Sequence, residues 1–342
     1  MSNFTATLLL SSTPRKTPPT TPPPQTVDST HITETIRDAF SCLCTKVYLN
    51  LLLDTWKPLS TPSLSTAAAV EVTIIDPTSS GIQIRALKGC SDLKEFEYTY
   101  NVDVALQEDG VFRKHKRLVV FDMDSTLIEQ EVIDELAAFV GVKDKVAAIT
   151  ESAMRGELDF TASLRSRAAL LNGVPSDVFT TLKSNGTITF TPGAHELCKA
   201  LKKLGCKLAV LSGGFQPLAE WVKSSLGLDY AYANTLEVST DGRSLTGVVL
   251  GDIVNAERKA VLLKEIAKKE GVDLRQVVAV GDGANDLVMM REAGFGVAFN
   301  AKPKVQEEAP SHLNSRTLRD ILYLFGFTGA EVEDLVDQTA SG

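Results

Sequence analysis

The sequence LVVFDMDST, residues 118–126, decides the fold of this 342-residue chain. Its four leading apolar residues are typical of a buried strand, and Asp122 and Asp124 follow that strand closely. Two carboxylates so near each other repel and are costly to bury unless a cation neutralises them. Mg²⁺, a hard ion that prefers oxygen ligands, is the natural candidate. Taken alone, the acidic pair is equally consistent with a solvated turn.

Beyond this strand, short apolar runs alternate with amphipathic helical segments. The runs 207–211, 277–280 and 296–299 predict further strands, so we predict an α/β fold with a Rossmann-like parallel sheet covered on both faces. Helices are predicted over about 216–226, 256–269 and 285–293. The stretch 129–183 contains helical patterns without a strand candidate, and we interpret it as an inserted helical cap. The ligand site of such a sheet lies at the carboxyl ends of its strands.

Two other predicted strands end in polar clusters. One is Ser212-Gly213-Gly214, whose small residues allow backbone N–H groups to approach an anion at a helix N-terminus. The other is GDGAND, residues 281–286, where Asp282 can complete the shell of a cation. Asn285 and Asp286 follow in the first helical turn, placed to orient ligands or metal-bound waters. Together the three strand ends predict a phosphoryl-transfer site.

These clusters, in this order at the strand ends of one α/β domain, resemble the haloacid dehalogenase superfamily of phosphohydrolases. Its third motif is a lysine, matched here by Lys259, which alone would be read as a solvated charge on a helix. The resemblance implies that Asp122 attacks phosphorus to form an aspartyl phosphate, and that Asp124 protonates the leaving alkoxide and later activates water. It implies Mg²⁺ bound by the carboxylates of Asp122 and Asp282 and by the backbone carbonyl of Asp124. The implied substrate-binding residues of the core are Ser212, Gly213, Lys259 and Asn285, with Asp286 behind the direct metal ligands.

The cap carries the residues that bear on substrate choice, because fold alone does not fix function. A zwitterionic amino-acid phosphate requires a carboxylate for its ammonium group and an arginine that can hold its carboxylate bidentately. Glu131 and Arg167 offer such a pair, although each by itself is more simply a solvated helix residue. The cap sequence therefore favours an amino-acid phosphate as substrate.

From residue 112 to about residue 326 the chain closely resembles the phosphoserine phosphatase family. Glu131 and Arg167 match that family's amine- and carboxylate-binding positions, and Phe160 matches its cap aromatic. The resemblance implies hydrolysis of O-phospho-L-serine to L-serine and phosphate, the last step of serine biosynthesis. Arg165 stands beside this set as a bystander.

The amino-terminal third differs from the rest of the chain in composition and sequence pattern. Residues 1–27 contain no acidic residue and include a Pro/Thr run, which is typical of a disordered or linker-like tail, with organellar import as the weaker alternative. Residues 28–111 predict a small α+β region, a divergent ferredoxin-like or ACT-like domain for which we expect no ligand. The elements predicted in the amino-terminal third as a whole are strands at Phe4–Leu10, Val70–Ile75, Ile82–Leu87 and Val102–Leu106 and a helix over Ile32–Leu53. The phosphatase domain is predicted over 112–326, its cap over about 129–185 and a tail over 327–342.

Composition limits the partners. The formal net charge of -8 argues against sequence-independent nucleic-acid binding and against an anionic membrane surface. Five irregularly spaced cysteines indicate neither a disulfide framework nor a zinc site, so we predict a reducing, cytoplasmic environment. No apolar run reaches the roughly 20 residues that a membrane helix needs. We expect a small-molecule substrate and no nucleic-acid or membrane partner, and the sequence leaves a homodimer open.

Three other functions share part of this pattern. A phosphatase or phosphotransferase of the same superfamily would act on another small phosphate ester. A signalling receiver also phosphorylates an aspartate with Mg²⁺ bound, but it lacks both a cap and an acid two residues beyond the nucleophile. A serine-binding regulatory protein with a vestigial site is disfavoured because every catalytic residue type is present. Phosphate release from amino-acid and sugar phosphates separates these possibilities.

Overall fold

The computed structural model describes residues 2–11, 32–47, 52–60, 69–76, 89–155 and 157–337. The chain divides into two compact units, one formed by Met1–Lys116 with Ser311–Gly342 and the other by Arg117–Pro310. This division assigns the segment after residue 310 to the first unit, whereas the sequence predicted that the phosphatase domain extends to residue 326. Residues Ser2–Leu10 form a strand, so the disordered or linker-like tail predicted over 1–27 is wrong for these residues. The other sequence-based boundaries of the tails, the amino-terminal region and the cap stay predictions.

The first unit contains an antiparallel sheet and two long helices. The strands are β1 (Ser2–Leu10), β2 (Leu52–Ser60), β3 (Ala69–Asp76) and β4 (Val102–Glu108), in the order β2-β3-β1-β4. The helices are Ile32–Val47 and Ser91–Tyr100, with shorter ones at Val111–Lys114, Ile321–Leu324 and Gly329–Val336. Phe40 and Phe96 pack in the core, their ring centroids 5.5 Å apart. The strands and longer helices in the described part of residues 2–108 follow the order βαββαβ, which is that of a ferredoxin-like fold.

The structure corrects one predicted element of this unit. The helix predicted over Ile32–Leu53 ends at Val47, and Leu52 begins β2, a strand that the sequence pattern did not reveal. β2 lies at the edge of the sheet, where Pro58 is tolerated because a strand edge need not donate every backbone N–H. The strand predicted over Ile82–Leu87 lies outside the described residues.

A buried histidine cluster in the first unit supports a prediction about stability. His312 Nε2 lies 3.2 Å from Glu97 Oε1 and 3.4 Å from Asp103 Oδ1, and Asp103 also accepts hydrogen bonds from Asn314. Burial alone would lower the pKa of His312, but the two carboxylates outweigh burial and raise the pKa to about 9. Since this pKa lies above the ordinary 6.5, the stabilisation is complete below pH 6.5 and is lost as the pH rises through about 9.

We therefore expect His312→Gln to lower the free energy of unfolding by about 2 kcal/mol below the ordinary histidine pKa, and by much less in alkali. The substitution leaves Glu97 and Asp103 without the imidazolium charge in the acidic range, whereas wild-type His312 is already neutral above its raised pKa. Urea unfolding across the pH range measures the difference, with the exposed His115→Gln as control. An equal loss at every pH would contradict the charged pair.

The second unit is built on a mainly parallel sheet. Its strands are β5 (Leu118–Phe121), β6 (Lys207–Phe215), β7 (Tyr230–Val238), β8 (Leu245–Leu250), β9 (Val277–Gly281) and β10 (Phe295–Phe299). Within the unit they run in the order β10-β9-β5-β6-β7-β8, and β7 pairs with β8 as an antiparallel hairpin while the other neighbours are parallel. β5 lies between β9 and β6 and is completely buried. The predicted α/β class with a Rossmann-like core is confirmed.

Nine α-helices lie among the described residues of this unit. They are Val132–Phe139, Lys143–Met154, Phe160–Ala169, Val178–Ser184, Ala194–Lys203, Gln216–Leu226, Ala256–Lys269, Leu287–Glu292 and Pro303–Glu308. The first five lie between β5 and β6 in the chain, and the first four of these fall within the stretch predicted as an inserted helical cap. The helix predicted over 285–293 begins instead as the 3₁₀ turn Ala284–Asp286 and continues as Leu287–Glu292.

None of the helices in the described part of the chain is long and apolar enough to span a membrane. The cytoplasmic location and the homodimer left open by the sequence stay predictions.

Candidate active site

The register of three adjacent strands brings the predicted clusters together. Phe121 of β5 pairs with Val210 of β6 and with Val280 of β9. Asp122 follows Phe121, and its backbone N–H still donates to the carbonyl of Val280 at 2.8 Å. Ser212 and Asp282 each lie two residues beyond the paired residue of their own strand. All three side chains therefore emerge at the same carboxyl edge of the sheet.

Lys259 is a buried partner of the predicted nucleophile. Its Nζ lies 2.9 Å from Asp122 Oδ1 and 2.7 Å from Asp286 Oδ1, and its side chain is completely inaccessible to solvent. Asn255, one turn before Lys259, caps the helix Ala256–Lys269 by accepting a hydrogen bond from the N–H of Arg258. This cap fixes the start of the helix and therefore the position of Lys259 in its first turn. Burial lowers the pKa of Lys259, but Asp122 and Asp286 outweigh it, so the net pKa is raised. The simpler alternative, a solvated surface lysine, is wrong.

The carboxylate of Asp122 is held in one orientation. Its Oδ1 accepts a hydrogen bond from the backbone N–H of Met123 at 2.7 Å and also faces the ammonium group of Lys259. Both contacts fall on Oδ1, and together they restrict the rotation of the carboxylate group. This is the preorganisation that an attacking carboxylate requires.

A strained turn positions Asp124. Residues Met123–Leu127 form a wide turn in which Ser125 takes the left-handed conformation, with φ of 53°. A methyl group on Gly214 would lie 3.2 Å from Asp124 Oδ2, so this carboxyl group lies against the Ser212-Gly213-Gly214 loop. Burial, followed by the charges of Glu131 and Asp122, raises the pKa of Asp124 well above its usual range. A carboxyl group in this environment tends to carry a proton, as a general acid must.

Three carboxylates form a possible cation site. One oxygen each from Asp122, Asp282 and Asp286 lies within 4.8 Å of the others. Burial, then the charges of neighbouring carboxylates, raises the pKa of Asp282 to about 8 and that of Asp286 to about 7. A hard divalent cation fits this donor set, because it would supply the positive charge that Lys259 alone does not provide for three carboxylates.

The carboxylates of Asp282 and Asp286 differ in their protein partners. Both oxygens of Asp286 already have protein partners, Oδ1 with Lys259 and Oδ2 with the N–H of Gly283 at 3.0 Å. Asp282 Oδ1 accepts a hydrogen bond from the hydroxyl of Thr126 at 3.2 Å. This arrangement is compatible with direct metal binding by Asp122 and Asp282 and with a supporting role for Asp286, which all stay predictions.

The Ser212-Gly213-Gly214 loop has the close packing expected of an anion-binding turn. The N–H of Gly214 donates to Ser212 Oγ at 2.8 Å. A methyl group on Gly213 would lie only 2.7 Å from Cζ of Phe160 and 3.8 Å from Nδ2 of Asn285. The predicted residues Phe160 and Asn285 therefore both face this loop, one from the cap and one from the core.

The cap brings its predicted charges toward the same site. Glu131 precedes the helix Val132–Phe139, and its Oε1 accepts a hydrogen bond from the hydroxyl of Ser125 at 2.7 Å. Although the residue remains solvent-exposed, partial desolvation and then the charge of Asp122 raise its pKa against the lowering effect of Ser125. Arg167 lies two helical turns after Phe160 and so shares its helix face. Arg165, the bystander, is exposed.

Several residues around the site were not identified from the sequence. Ser125 holds Glu131, Thr126 holds Asp282, and Asn234 on β7 binds the carbonyl groups of the Ser212-Gly213-Gly214 loop. Ser125 and Thr126 belong to the sequence LVVFDMDST, residues 118–126, but nothing in the spacing indicated which residues they contact. Asn234 carried no signal in the sequence, because it belongs to none of the polar clusters at the predicted strand ends.

Comparison with known proteins agrees with this geometry. Residues 116–294 match the family model of the haloacid dehalogenase-like hydrolases. The chain is similar to a probable phosphoserine phosphatase of Schizosaccharomyces pombe, with 54% identity over 239 residues, which are 70% of this chain and 80% of that protein. It is also similar to the phosphoserine phosphatase of Saccharomyces cerevisiae, with 50% identity over 233 residues, 68% of this chain and 74% of that protein.

A solved structure shows the same likeness. It is a phospho-aspartyl intermediate analogue of a phosphoserine phosphatase, 47% identical in sequence, with a TM-score of 0.56 over 61% of this chain and 99% of that chain.

Proposed function

The chain belongs to the phosphoserine phosphatases within the haloacid dehalogenase-like hydrolases, and we propose on this premise that it hydrolyses O-phospho-L-serine to L-serine and inorganic phosphate. The observation that carries the proposal is the buried ion pair of Asp122 with Lys259 at the end of β5. The desolvated carboxyl group of Asp124 lies two residues further on. A nucleophile, a cation and an acid are thereby available at one strand end.

In the first half of the reaction an oxygen of Asp122 attacks phosphorus, and the bond between phosphorus and the serine oxygen breaks. Asp124 transfers its proton to that oxygen, so serine departs as an alcohol and Asp124 becomes a carboxylate. The raised pKa of Asp124 favours the protonated form that this step uses. Lys259 offsets the negative charge of the phosphoryl oxygens, a contribution of the kind that is typically worth about 3 kcal/mol.

In the second half water attacks phosphorus and the carboxylate of Asp124 takes its proton. The bond between phosphorus and Asp122 breaks, inorganic phosphate leaves, and both aspartates return to their starting forms. One acid/base residue thus serves both halves because the covalent intermediate separates them in time. The similar solved structure, an analogue of a phospho-aspartyl intermediate, supports this scheme.

We propose Mg²⁺ as the cofactor, held by the carboxylates of Asp122 and Asp282 and the backbone carbonyl of Asp124. When bound, it supplies the positive charge that allows a carboxylate to approach a phosphate dianion. The protein's own contribution is orientation: Thr126 fixes Asp282, and Asp286 draws Lys259 toward Asp122. Ser212, Gly213 and Asn285 are the proposed binding residues for the phosphate.

The proposed choice of serine rests on the cap. Glu131 would accept hydrogen bonds from the ammonium group and Arg167 would bind the carboxylate, while Phe160 covers the ligand next to Gly213. Arg167 is partly buried, and burial lowers its pKa while Asp134 and Glu131 raise it. Partial desolvation strengthens its attraction for a substrate carboxylate.

A phosphate-release assay tests the function directly. We expect O-phosphoserine to be hydrolysed with a kcat/KM at least about tenfold above those of phosphothreonine and sugar phosphates, and a chelator to abolish the activity until Mg²⁺ is restored. Equal rates on sugar phosphates would favour a phosphatase for another ester. Stoichiometric, long-lived phosphorylation without turnover would favour a receiver.

Arg167→Ala tests the carboxylate contact. We expect kcat/KM for O-phosphoserine to fall by about 10²-fold, because charge-assisted hydrogen bonds to the substrate carboxylate are lost. Hydrolysis of p-nitrophenyl phosphate, which has no carboxylate, should change by less than about threefold. The neighbouring Arg165→Ala, on the exposed face of the same helix, is the matched control and should behave as wild type. Equal damage to both substrates would assign Arg167 a structural role instead.

A further inference from the structure

Asn234 is a buried amide on β7 with three backbone partners. Its Nδ2 donates to the carbonyl of Gly213 at 2.8 Å and to the carbonyl of Gly214 at 3.2 Å. Its Oδ1 accepts from the N–H of Val254 at 2.9 Å, and only 1% of the residue is exposed. Asparagine is disfavoured in strands, and a buried amide is tolerated only when it is hydrogen-bonded, so these contacts account for its presence.

The two donated hydrogen bonds determine the orientation of the peptide groups in the Ser212-Gly213-Gly214 loop. A peptide unit is planar and trans, so fixing the carbonyl of Gly213 also fixes the N–H of Gly214, which points the opposite way. That N–H donates to Ser212 Oγ at 2.8 Å. Since the hydroxyl oxygen accepts there, its own proton is free to be directed at an anion. Asn234 thus acts on Ser212 through one peptide unit.

The accepted hydrogen bond reaches the other phosphate-binding element. Val254 directly precedes Asn255, which caps the helix Ala256–Lys269, and the N–H of Lys259 donates to the carbonyl of Asn255 at 2.9 Å. A displacement of Val254 would therefore move the first turn of this helix and the lysine that it carries. One side chain is hydrogen-bonded to both elements that are proposed to hold the phosphate.

We infer that Asn234 is a positioning residue that sets Ser212 and Lys259 relative to each other for phosphate binding. The inference rests on the proposed function, in which these two residues bind the phosphate, and it adds a residue on β7 that touches neither substrate nor metal. It predicts that a change at Asn234 weakens binding of the phosphate half of the substrate and spares the serine half, which the cap binds.

The test is Asn234→Asp, which keeps the size of the side chain, removes its donors and turns a carboxylate toward two carbonyl oxygens. We expect the inhibition constant of inorganic phosphate to rise by about tenfold or more and kcat/KM to fall at least as much, because small misplacements of binding groups have large effects. The inhibition constant of L-serine should stay within about twofold. Asn234→Ala, which adds no charge, repeats the measurement if the aspartate variant does not fold.

The matched control is Gln306→Glu, another change from amide to acid at a side chain that donates to a backbone carbonyl, that of Ala301 at 2.7 Å. It should leave both inhibition constants unchanged. A purely structural role would lower the melting temperature of the Asn234 variants while leaving phosphate inhibition as in wild type, and this result would overturn the inference. Phosphate binding by calorimetry in the presence of Mg²⁺ keeps the test separate from the proposed function, because it does not require that O-phosphoserine be the substrate.

Discussion

Asp122→Asn is expected to abolish turnover of O-phosphoserine, lowering kcat by at least about 10³-fold, because an amide oxygen does not form the covalent intermediate. The fold should persist, since an asparagine oxygen can still accept from the N–H of Met123 and face Lys259. The substitution also removes one negative charge from the group formed with Asp282 and Asp286, which relieves repulsion. Steady-state rates and the intact mass of acid-quenched enzyme measure the loss of turnover and of the phosphoenzyme.

The control for this variant is Asp273→Asn. Asp273 also pairs with a cation, Arg275 at 2.7 Å, but at the surface, where ion pairs contribute little. Its activity should equal that of wild type. Near-normal turnover by Asp122→Asn, once mass spectrometry has excluded deamidation to aspartate, would disprove the covalent scheme.

The central part of the site was predictable because its signals are local. Four apolar residues followed by Asp122 indicate a buried strand that ends in an acid, and the short runs before Ser212 and Asp282 repeat that arrangement. Parallel strands align their carboxyl ends, so the order of these signals predicts that the three groups meet. The helices Gln216–Leu226 and Ala256–Lys269 have the predicted bounds because strong apolar periodicity coincides with clear end signals.

The contacts between distant residues were not predictable in the same way. Thr126 binds Asp282 across 156 positions and Lys259 binds Asp286 across 27, and no spacing rule connects residues so far apart. Burial of Lys259 could not be read from its helix either, because a lysine at that position is ordinarily solvated. It is the surplus of carboxylates around Asp122 that makes a buried ammonium group stable.

The amino-terminal unit shows the limit of periodicity. Leu51 and Leu53 fit helical spacing as well as strand spacing, so the pattern continued the helix past Val47 and concealed β2. Edge strands are half exposed and tolerate residues such as Pro58, which makes their sequences weak strand signals. The pairing of β2 with β3 settles the assignment, and pairing is a long-range property.

Asp124→Asn is expected to separate the two halves of the reaction. With O-phosphoserine, kcat should fall by about 10²- to 10⁴-fold, because neither the serine oxygen nor the attacking water has its proton-transfer partner. With p-nitrophenyl phosphate the departing oxygen needs no proton, so the first half should be nearly normal. The second half still lacks its base, so the aspartyl phosphate on Asp122 should accumulate. The expected signal is a burst of released nitrophenol followed by slow turnover.

This result depends on the environment that distinguishes Asp124 from the acids around it. Burial first, and then the charges of Glu131 and Asp122, raise the pKa of Asp124 and favour its protonated form, whereas Asp122 lies 2.9 Å from the ammonium group of Lys259. The exposed cap residue Asp144, changed to asparagine, controls for loss of an acidic residue and should show neither effect. If Asp124→Asn slowed the hydrolysis of both substrates equally and no phosphoenzyme could be trapped, Asp124 would not be the proton-transfer residue. The roles proposed for Asp122 and Asp124 would then have to be reassigned.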